Sequence, residues 1–389
     1  MWLRIVLVLF GLLMLDSVYL TAVDLAAWWS GNPREDGAYL WAILIHLGLG
    51  LLLLVPFVVY GAMHAWRGRF RPNRRAVAVG WALLWVGVAL LVTGILLVRV
   101  EIAGIRFGID HPALRATLFW VHALSPLVAI WLFVLHRLVG PRLRWGRGVA
   151  WGGAGLVTAM LALMVSAGEP PVPQRDSTLV ALATSSNEAF APSLAETAHG
   201  GTIPIEHLLD NDHCIECHAD AHAQWGDSAH SESSFNNPLY AFSVRNTRQA
   251  MLDRFHKLEP SRFCAGCHDP AILMSGSWEQ DRWTDPKRAD EVAVDRLGSA
   301  SIGCIVCHGI EDVSTLGNAS YTFRDPPRYP FAFSDSPFLQ WVNRQLILAK
   351  PDFHKRTFLK PVHKTAEFCG ACHKVFLPEE LNGYKWLPG

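Results

Sequence analysis

The chain of 389 residues is 51% hydrophobic and only 17% charged, whereas a typical soluble domain carries about 25% charged residues. Its formal net charge is zero, but residues 1–168 hold 14 basic and 6 acidic residues, and residues 169–389 hold 20 basic and 28 acidic ones. The low charge argues against a wholly soluble protein. A nucleic-acid-binding protein is also disfavoured, because the only basic clusters flank apolar runs.

Long apolar runs dominate the first half of the chain. Each is close to the roughly 20 residues that a helix needs to cross a bilayer, and backbone groups in lipid must be satisfied within the helix. The sequence therefore predicts an all-α chain that begins with a five-helix transmembrane bundle over residues 1–167. The runs cover approximately residues 2–23, 39–63, 76–98, 116–138 and 149–166.

Arginine placement predicts the topology of this bundle. The loops after the second and fourth runs are rich in arginine, which favours the cytoplasm for both loops and for the N-terminus. Five helices then place the C-terminal half outside the cytoplasm, in the periplasm of a bacterium. A signal peptide is the alternative for the first run, but no clear cleavage site precedes Trp28, so we expect an uncleaved helix.

Four histidines lie inside the predicted bundle. His46 and His64 are 18 residues apart in the second run, and His122 and His136 are 14 apart in the fourth. At about 3.6 residues per turn, each pair lies near one face of its helix. We expect His46 to face His122 and His64 to face His136, so that two b-type haems can bind through neutral imidazoles. Alternatively, His64 and His136 are ordinary interfacial residues beside basic loops.

This arrangement resembles the dihaem cytochrome b bundles of respiratory membrane complexes over residues 39–138. One departure is that the His46–His64 interval is a turn longer than the His122–His136 interval. The resemblance implies quinone chemistry, in which carboxylates and histidines near a haem accept protons from a quinol. The proton-accepting residues that we predict are Asp16, Glu101, Asp110 and His111. For Asp16 the alternative is a structural carboxyl.

All eight cysteines lie in four Cys-x-x-Cys-His motifs, which is the attachment signature of c-type haem. Two thiols on one helical turn can reach the two porphyrin vinyl groups, and the adjacent histidine binds iron. Zinc binding does not require a histidine after every second cysteine, and a disulfide framework would not repeat one local pattern. The motifs are Cys214, Cys217 and His218; Cys264, Cys267 and His268; Cys304, Cys307 and His308; and Cys369, Cys372 and His373.

These motifs predict a tetrahaem cytochrome c domain over residues 206–389, with short helices, long loops and little sheet. Residues 168–205 are rich in Pro, Ser, Thr and Ala, which predicts a linker between the two domains.

Residues 206–375 resemble the multihaem cytochromes of the hydroxylamine oxidoreductase and cytochrome c-554 type. The similarity rests on the segment from Trp225 through Ser228 to His230, and on Gly303 and Gly309 flanking the third motif. It implies that His230 is a distal iron ligand. The other distal candidates are His207, His222, His256, His354 and His363.

The expected function is electron transfer at the bacterial inner membrane, between the quinone pool and a periplasmic cytochrome or other redox protein. Six haems, four c-type and two b-type, carry the electrons in this interpretation, and an enzymatic activity would be of the quinol:cytochrome oxidoreductase kind. One alternative is a periplasmic reductase or oxidase of small nitrogen or sulfur compounds. Another is a wiring subunit of a larger respiratory complex. Expected partners are membrane lipid and quinone, with no nucleic acid.

Overall fold

A computed structural model describes residues 2–30, 34–102, 104–138, 145–166 and 189–375. The described chain is mostly helical with a few short strands, which confirms the prediction of a predominantly α protein. It divides into two compact units. The first comprises Met1–Pro170 and Pro327–His354, and the second comprises Pro171–Pro326 and Lys355–Gly389.

Five helices follow one another at the start of the first unit. Four of them, α1 to α4, are long and apolar enough to cross a membrane, whereas the apolar part of α5 covers only Gly148–Met164. Many of their large apolar side chains are exposed, as expected for helices that face lipid. The helices are α1 (Trp2–Ser30), α2 (Gly37–Gly68), α3 (Arg74–Leu97), α4 (Pro112–Leu138) and α5 (Trp145–Ser166).

The bundle is held by contacts of α1 with α2 and α5, and of α3 with α2 and α4. Val23, Tyr39 and Ala162 meet in a small buried cluster. The carboxylate of Asp36 begins α2 by accepting a hydrogen bond from the backbone N–H of Tyr39 at 2.9 Å, which satisfies a donor left free at the helix start. The first four predicted apolar runs thus form helices that are long and apolar enough to span a membrane.

A β-hairpin joins α3 to α4, and a later part of the chain packs beside it. The strands are β1 (Val100–Ile102) and β2 (Ile105–Phe107). Helix α14 (Pro337–Ala349) contacts β1, and residues 327–354 belong to this first unit. The predicted boundary, which assigned everything after residue 206 to one domain, misses this segment because its partners lie far away in sequence.

The second unit consists of short elements around the four cysteine motifs. Its helices are α6 (Ile205–Leu208), α7 (Asp212–Ile215), α8 (Ala219–Gly226), α9 (Pro238–Phe255), α10 (Arg262–His268), α11 (Pro270–Met274), α12 (Ala289–Val294), α13 (Cys304–Gly309) and α16 (Ala366–His373). Its strands are β3 (Glu196–Thr197), β4 (Ile310–Val313) and β5 (Tyr321–Phe323). Helix α15 (Pro351–Phe358) contains the boundary between the units.

The core of the second unit is built from aromatic side chains and one buried cation. Trp278 and Trp283 are fully buried. Arg248 is also fully buried, and its guanidinium donates to the carbonyls of Trp278 and Gln280 at 2.7 and 3.1 Å. These bonds offset the cost of burying the charge. In the sheet, β5 pairs parallel with β3 and antiparallel with β4.

The predicted linker 168–205 needs a correction. Residues 168–188 lie outside the described residues, but residues 189–205 belong to the second unit. Phe190, Ala195 and Ile203 are buried in its core, and β3 adds a strand to its sheet. Burial of these apolar side chains fixes a segment whose small and polar composition predicts a tether.

Candidate functional site

The structure brings together both predicted histidine pairs of the bundle. The rings of His46 and His122 have their centres 6.1 Å apart with planes at 72°. The rings of His64 and His136 have their centres 6.0 Å apart with planes at 77°. The two pairs therefore have nearly the same separation, although their intervals along the chain differ by a turn.

Three of these rings are oriented through Nδ1. The Nδ1 atom of His46 lies 3.0 Å from a carboxylate oxygen of Asp16. Those of His122 and His136 lie 3.1 Å from the carbonyls of Leu90 and Ala76. With Nδ1–H donating to these oxygens, Nε2 is left as a lone-pair atom. A hydrogen bond from Nδ1 to an oxygen orients a metal-binding histidine and fixes its tautomer.

The spacing of the pairs fits a metal held between opposed imidazoles. An imidazole nitrogen binds a transition metal at about 2.0 Å, so two opposed ring centres lie about 6 Å apart with the metal between them. The measured separations of 6.1 and 6.0 Å match this value. The residues of the bundle therefore fit axial ligation of two haem irons, one at each pair.

Glycines of α3 make room for two of the rings. A Cβ atom at Gly94 would lie 3.0 Å from Cε1 of His122, and one at Gly80 would lie 3.1 Å from Cε1 of His136. At Gly87 the close neighbour is the ring of Phe57, at 2.1 Å. Gly80 and Gly94 thus let α3 approach the histidines of α4, as small residues do in membrane helices.

In the second unit, the cysteine motifs meet in pairs. The thiols of Cys214 and Cys304, from the first and third motifs, are in hydrogen-bonding contact. Those of Cys267 and Cys372, from the second and fourth motifs, are in contact as well. All eight thiols are free of disulfide bonds. Within the described ranges, no three His, Cys, Asp or Glu side chains converge to hold a metal ion.

Two distal candidates face motif histidines. The ring of His230 lies 6.1 Å from that of His373 in the fourth motif, again the separation expected for a bridging iron. The ring of His363 lies 5.2 Å from that of His308 in the third motif, with planes at 84°. Nε2 of His363 contacts the carbonyl of Ile310 at 3.2 Å, and its Nδ1 is buried without a hydrogen-bond partner among the described residues. A buried nitrogen without a partner fits a metal ligand, but the separation of 5.2 Å is shorter than the roughly 6 Å that an iron between two imidazoles needs, so this pair fits less well than His230 and His373.

The second motif has different neighbours. Tyr240 stacks on the ring of His268 at 4.3 Å, and the Nδ1 atom of His268 contacts the carbonyl of Ser233 at 2.9 Å. Asp269 is fully buried and accepts hydrogen bonds from Tyr240 and Ser234. Burial raises the pKa of Asp269 to about 7, against the opposing effect of these two hydrogen bonds. No pattern in the sequence marks Tyr240 or Asp269 as part of a site.

The other distal candidates have various environments. Nδ1 of His207 lies 2.5 Å from a carboxylate oxygen of Asp325, and the ring of His222 packs against Trp225. His256 ends α9 in the left-handed conformation. His354 lies in α15. The pairs that the structure gives therefore favour His230 and His363.

Of the four predicted proton-accepting residues, only Asp16 contacts a bundle histidine. Glu101 instead forms ion pairs with Arg106 and Arg344 at 3.0 and 2.8 Å. Asp110 is highly exposed beside Arg99. Nδ1 of His111 accepts from the backbone N–H of Leu114 at 3.4 Å, at the start of α4. Ion pairing, exposure and a contact at the helix start describe the surroundings of these three residues, and their role as proton acceptors stays a prediction.

Sequence reasoning missed the part of the chain that packs onto the bundle end. Trp341, Arg344 and Gln345 of α14 all bind Glu101. The signal that would have found α14 is an apolar segment between the third and fourth motifs that contains neither cysteine nor histidine.

No protein family, curated protein or solved structure matches this chain.

Proposed function

We propose that the protein is a membrane-bound electron carrier that links the quinone pool to periplasmic redox partners through two b-type and four c-type haems. The observation that carries the proposal is that two pairs of histidine rings lie side by side in the bundle, with ring centres 6.1 and 6.0 Å apart. Bound haem supplies one-electron iron chemistry, with a potential set by its axial ligands, their hydrogen bonds and burial.

In the bundle, four histidines bind the irons and other groups orient the histidine rings. His46 and His122 hold one iron, and His64 and His136 hold the other. Asp16, Leu90 and Ala76 fix three of the rings through Nδ1. Asp16 is the one acceptor of these three that is an ionisable side chain, and it is only 11% exposed. It remains the residue that we assign to proton uptake from a quinol.

In the second unit, each motif attaches one haem through its two cysteines and ligates the iron through its histidine. His230 completes the site of His373, and His363 completes the site of His308. These pairs link different motifs, so the sites are closed by residues distant in sequence. The organisation supports membership of the multihaem cytochrome c group named above, joined to a dihaem cytochrome b-like bundle.

The orientation that we propose follows the arginines. The loop between α2 and α3 contains Arg69 and Arg71, and cytoplasmic loops carry such an excess of positive charge. The N-terminus is then cytoplasmic, and the β1–β2 hairpin and second unit are periplasmic. The net acidic charge of residues 169–389 favours a basic periplasmic cytochrome as partner, since complementary charge steers association.

A haem count tests the proposal. Pyridine haemochrome spectra of the purified chain should show two b-type and four c-type haems for its four motifs. His122→Ala should remove one b-type haem and leave all c-type haems, whereas the matched control His111→Ala should remove none. Absence of non-covalent haem from the wild-type protein would refute the membrane part of the proposal. A c-type count other than four would refute the assignment of the motifs.

High-spin ferric signals would distinguish the main alternative. A reductase or oxidase needs an iron with an open coordination position, which gives such signals in electron paramagnetic resonance spectra. In the proposed carrier, the irons paired by His230 and His363 and both irons of the bundle should be low-spin. A high-spin signal from any of these four sites would favour the reductase or oxidase.

A further inference from the structure

The short hairpin between α3 and α4 lies close to the ends of these two helices. Strand β1 begins at Val100, three residues after α3 ends at Leu97, and α4 begins at Pro112. An extended chain advances about 3.3 Å per residue, so β1 begins within about 10 Å of the end of a helix that is long and apolar enough to span a membrane. This distance places the hairpin at the level of the bilayer interface.

The two faces of the hairpin differ in chemistry. Glu101 pairs with Arg106 across the strands, whereas Val100 pairs with Phe107 and Ile102 with Ile105. Because side chains alternate along a strand, the ion pair lies on one face and the four apolar residues lie on the other. Ile102, Ile105 and Phe107 are 53%, 61% and 53% exposed. We call this surface the apolar hairpin face.

Helix α14 binds the outer edge of β1 and the polar face of the hairpin. Nε1 of Trp341 donates to the carbonyl of Glu101 at 2.8 Å, and the backbone N–H of Glu101 donates to the side-chain oxygen of Gln345 at 2.7 Å. These bonds satisfy the free edge of β1, which would otherwise be open to another strand. Arg344 binds the Glu101 carboxylate on the polar face. The apolar hairpin face is therefore the side that α14 leaves uncovered.

We propose that the apolar hairpin face inserts into the interfacial layer of the bilayer, so that its partner is membrane lipid. The neighbouring helix ends carry exposed apolar side chains as well, since Ile95 and Leu114 are 53% and 48% exposed. An uncovered surface of β-branched and aromatic side chains is costly in water and favourable at the acyl boundary. Arg106, whose side chain is 75% exposed and ion-paired with Glu101, lies on the opposite face and so on the water side of the hairpin.

This membrane anchor has a consequence for α14. Since α14 binds the edge and the polar face of the hairpin, insertion of the opposite face fixes α14 at the membrane surface. The chain between the third and fourth motifs is then held at the bilayer by lipid as well as by protein. The inference does not depend on haem and stands apart from the proposed electron transfer.

Photo-crosslinking in vesicles tests the insertion. The full chain, reconstituted into phosphatidylethanolamine–phosphatidylglycerol vesicles, would carry p-benzoylphenylalanine in place of Ile105 or, in a second variant, Phe107. Matched controls carry it in place of Arg106, on the opposite face, or Leu239, which is 80% exposed on α9 of the second unit. Adducts are identified by mass spectrometry, and only variants that elute like the wild type from size exclusion are compared.

We expect lipid adducts from positions 105 and 107 to exceed those from positions 106 and 239 at least several-fold. Adducts to another copy of the chain or to another segment of the same chain would overturn the inference, because the face would then be a protein interface. Equal, low lipid labelling at all four positions would overturn it as well, because the face would then lie in water.

Discussion

Replacing Gly94 by alanine tests whether the histidines of α4 are held where a metal needs them. The added Cβ would lie 3.0 Å from Cε1 and 3.4 Å from Nδ1 of His122, closer than the ordinary contact range of 3.4–4 Å. The ring would have to retreat by about 0.4 Å or more to restore ordinary packing. That movement also disturbs its contacts with Leu90 at 3.1 Å and Thr93 at 3.3 Å.

The energetic consequence follows from two opposing effects. Overpacking a fixed site costs about 1–3 kcal/mol, and replacing a helical glycine by alanine returns about 1 kcal/mol. The remainder, about 0–2 kcal/mol, is the net loss of folding stability with haem bound. The propensity gain is the same with and without haem, so if the ring moves aside when haem is absent, the overpacking cost lowers haem affinity at the His46–His122 pair by up to roughly a hundredfold. The assay is transfer of non-covalent haem to an excess of apomyoglobin, followed by absorbance.

Two glycines of α2 provide matched controls. Gly48 and Gly50 have no atom within 4 Å of a Cβ position, so alanine at either position should leave haem retention unchanged. Gly87→Ala, whose Cβ would meet the ring of Phe57 at 2.1 Å, should lower thermal stability most. If Gly94→Ala released haem no faster than Gly48→Ala, then contact between α3 and the His122 ring would not contribute to the site.

Three further outcomes are expected. His230→Ala should convert the iron of the fourth motif to high spin in electron paramagnetic resonance spectra, whereas His256→Ala should not; equal spectra would contradict the pairing with His373. Asp16→Asn should raise the midpoint potential of one b-type haem, because His46 then donates to a neutral acceptor; an unchanged redox titration would contradict this role. Burial raises the pKa of Tyr329, so above about pH 10 the unfolded chain binds fewer protons than the folded chain, and stability falls as pH rises. In denaturant titrations, the free energy of unfolding of Tyr329→Phe should fall less between pH 9 and pH 11 than that of the wild type. An equal fall in both proteins would show that Tyr329 does not cause this pH dependence.

The sequence predicts features that are set by local pattern. Apolar length gives the membrane-spanning helices, and helical periodicity gives the faces of His46 and His64 in α2. Both depend on residues within one helix, so no knowledge of packing is needed. The position of the second, third and fourth cysteine motifs in short helices follows for the same reason, whereas α7 ends at Ile215, before Cys217 and His218 of the first motif.

Features that depend on distant contacts could not be predicted in this way. Trp341 binds the backbone of Glu101, which lies 240 residues earlier, and nothing local to α14 identifies that partner. The choice of His230 and His363 among the distal candidates likewise depends on which rings the second unit brings face to face. For Phe190, burial overrides a composition typical of linkers.

The membership of residues 327–354 in the first unit bears on how the protein can be truncated. A secreted fragment of residues 189–375 would carry α14 away from its binding partners and leave the Trp341 indole and the Arg344 guanidinium without Glu101. Phe331, whose ring packs edge-on against Trp41 at 5.2 Å, would also be uncovered. Such a fragment should self-associate. A soluble version would instead omit residues 327–354 and join residue 326 to residue 355 through a glycine–serine linker.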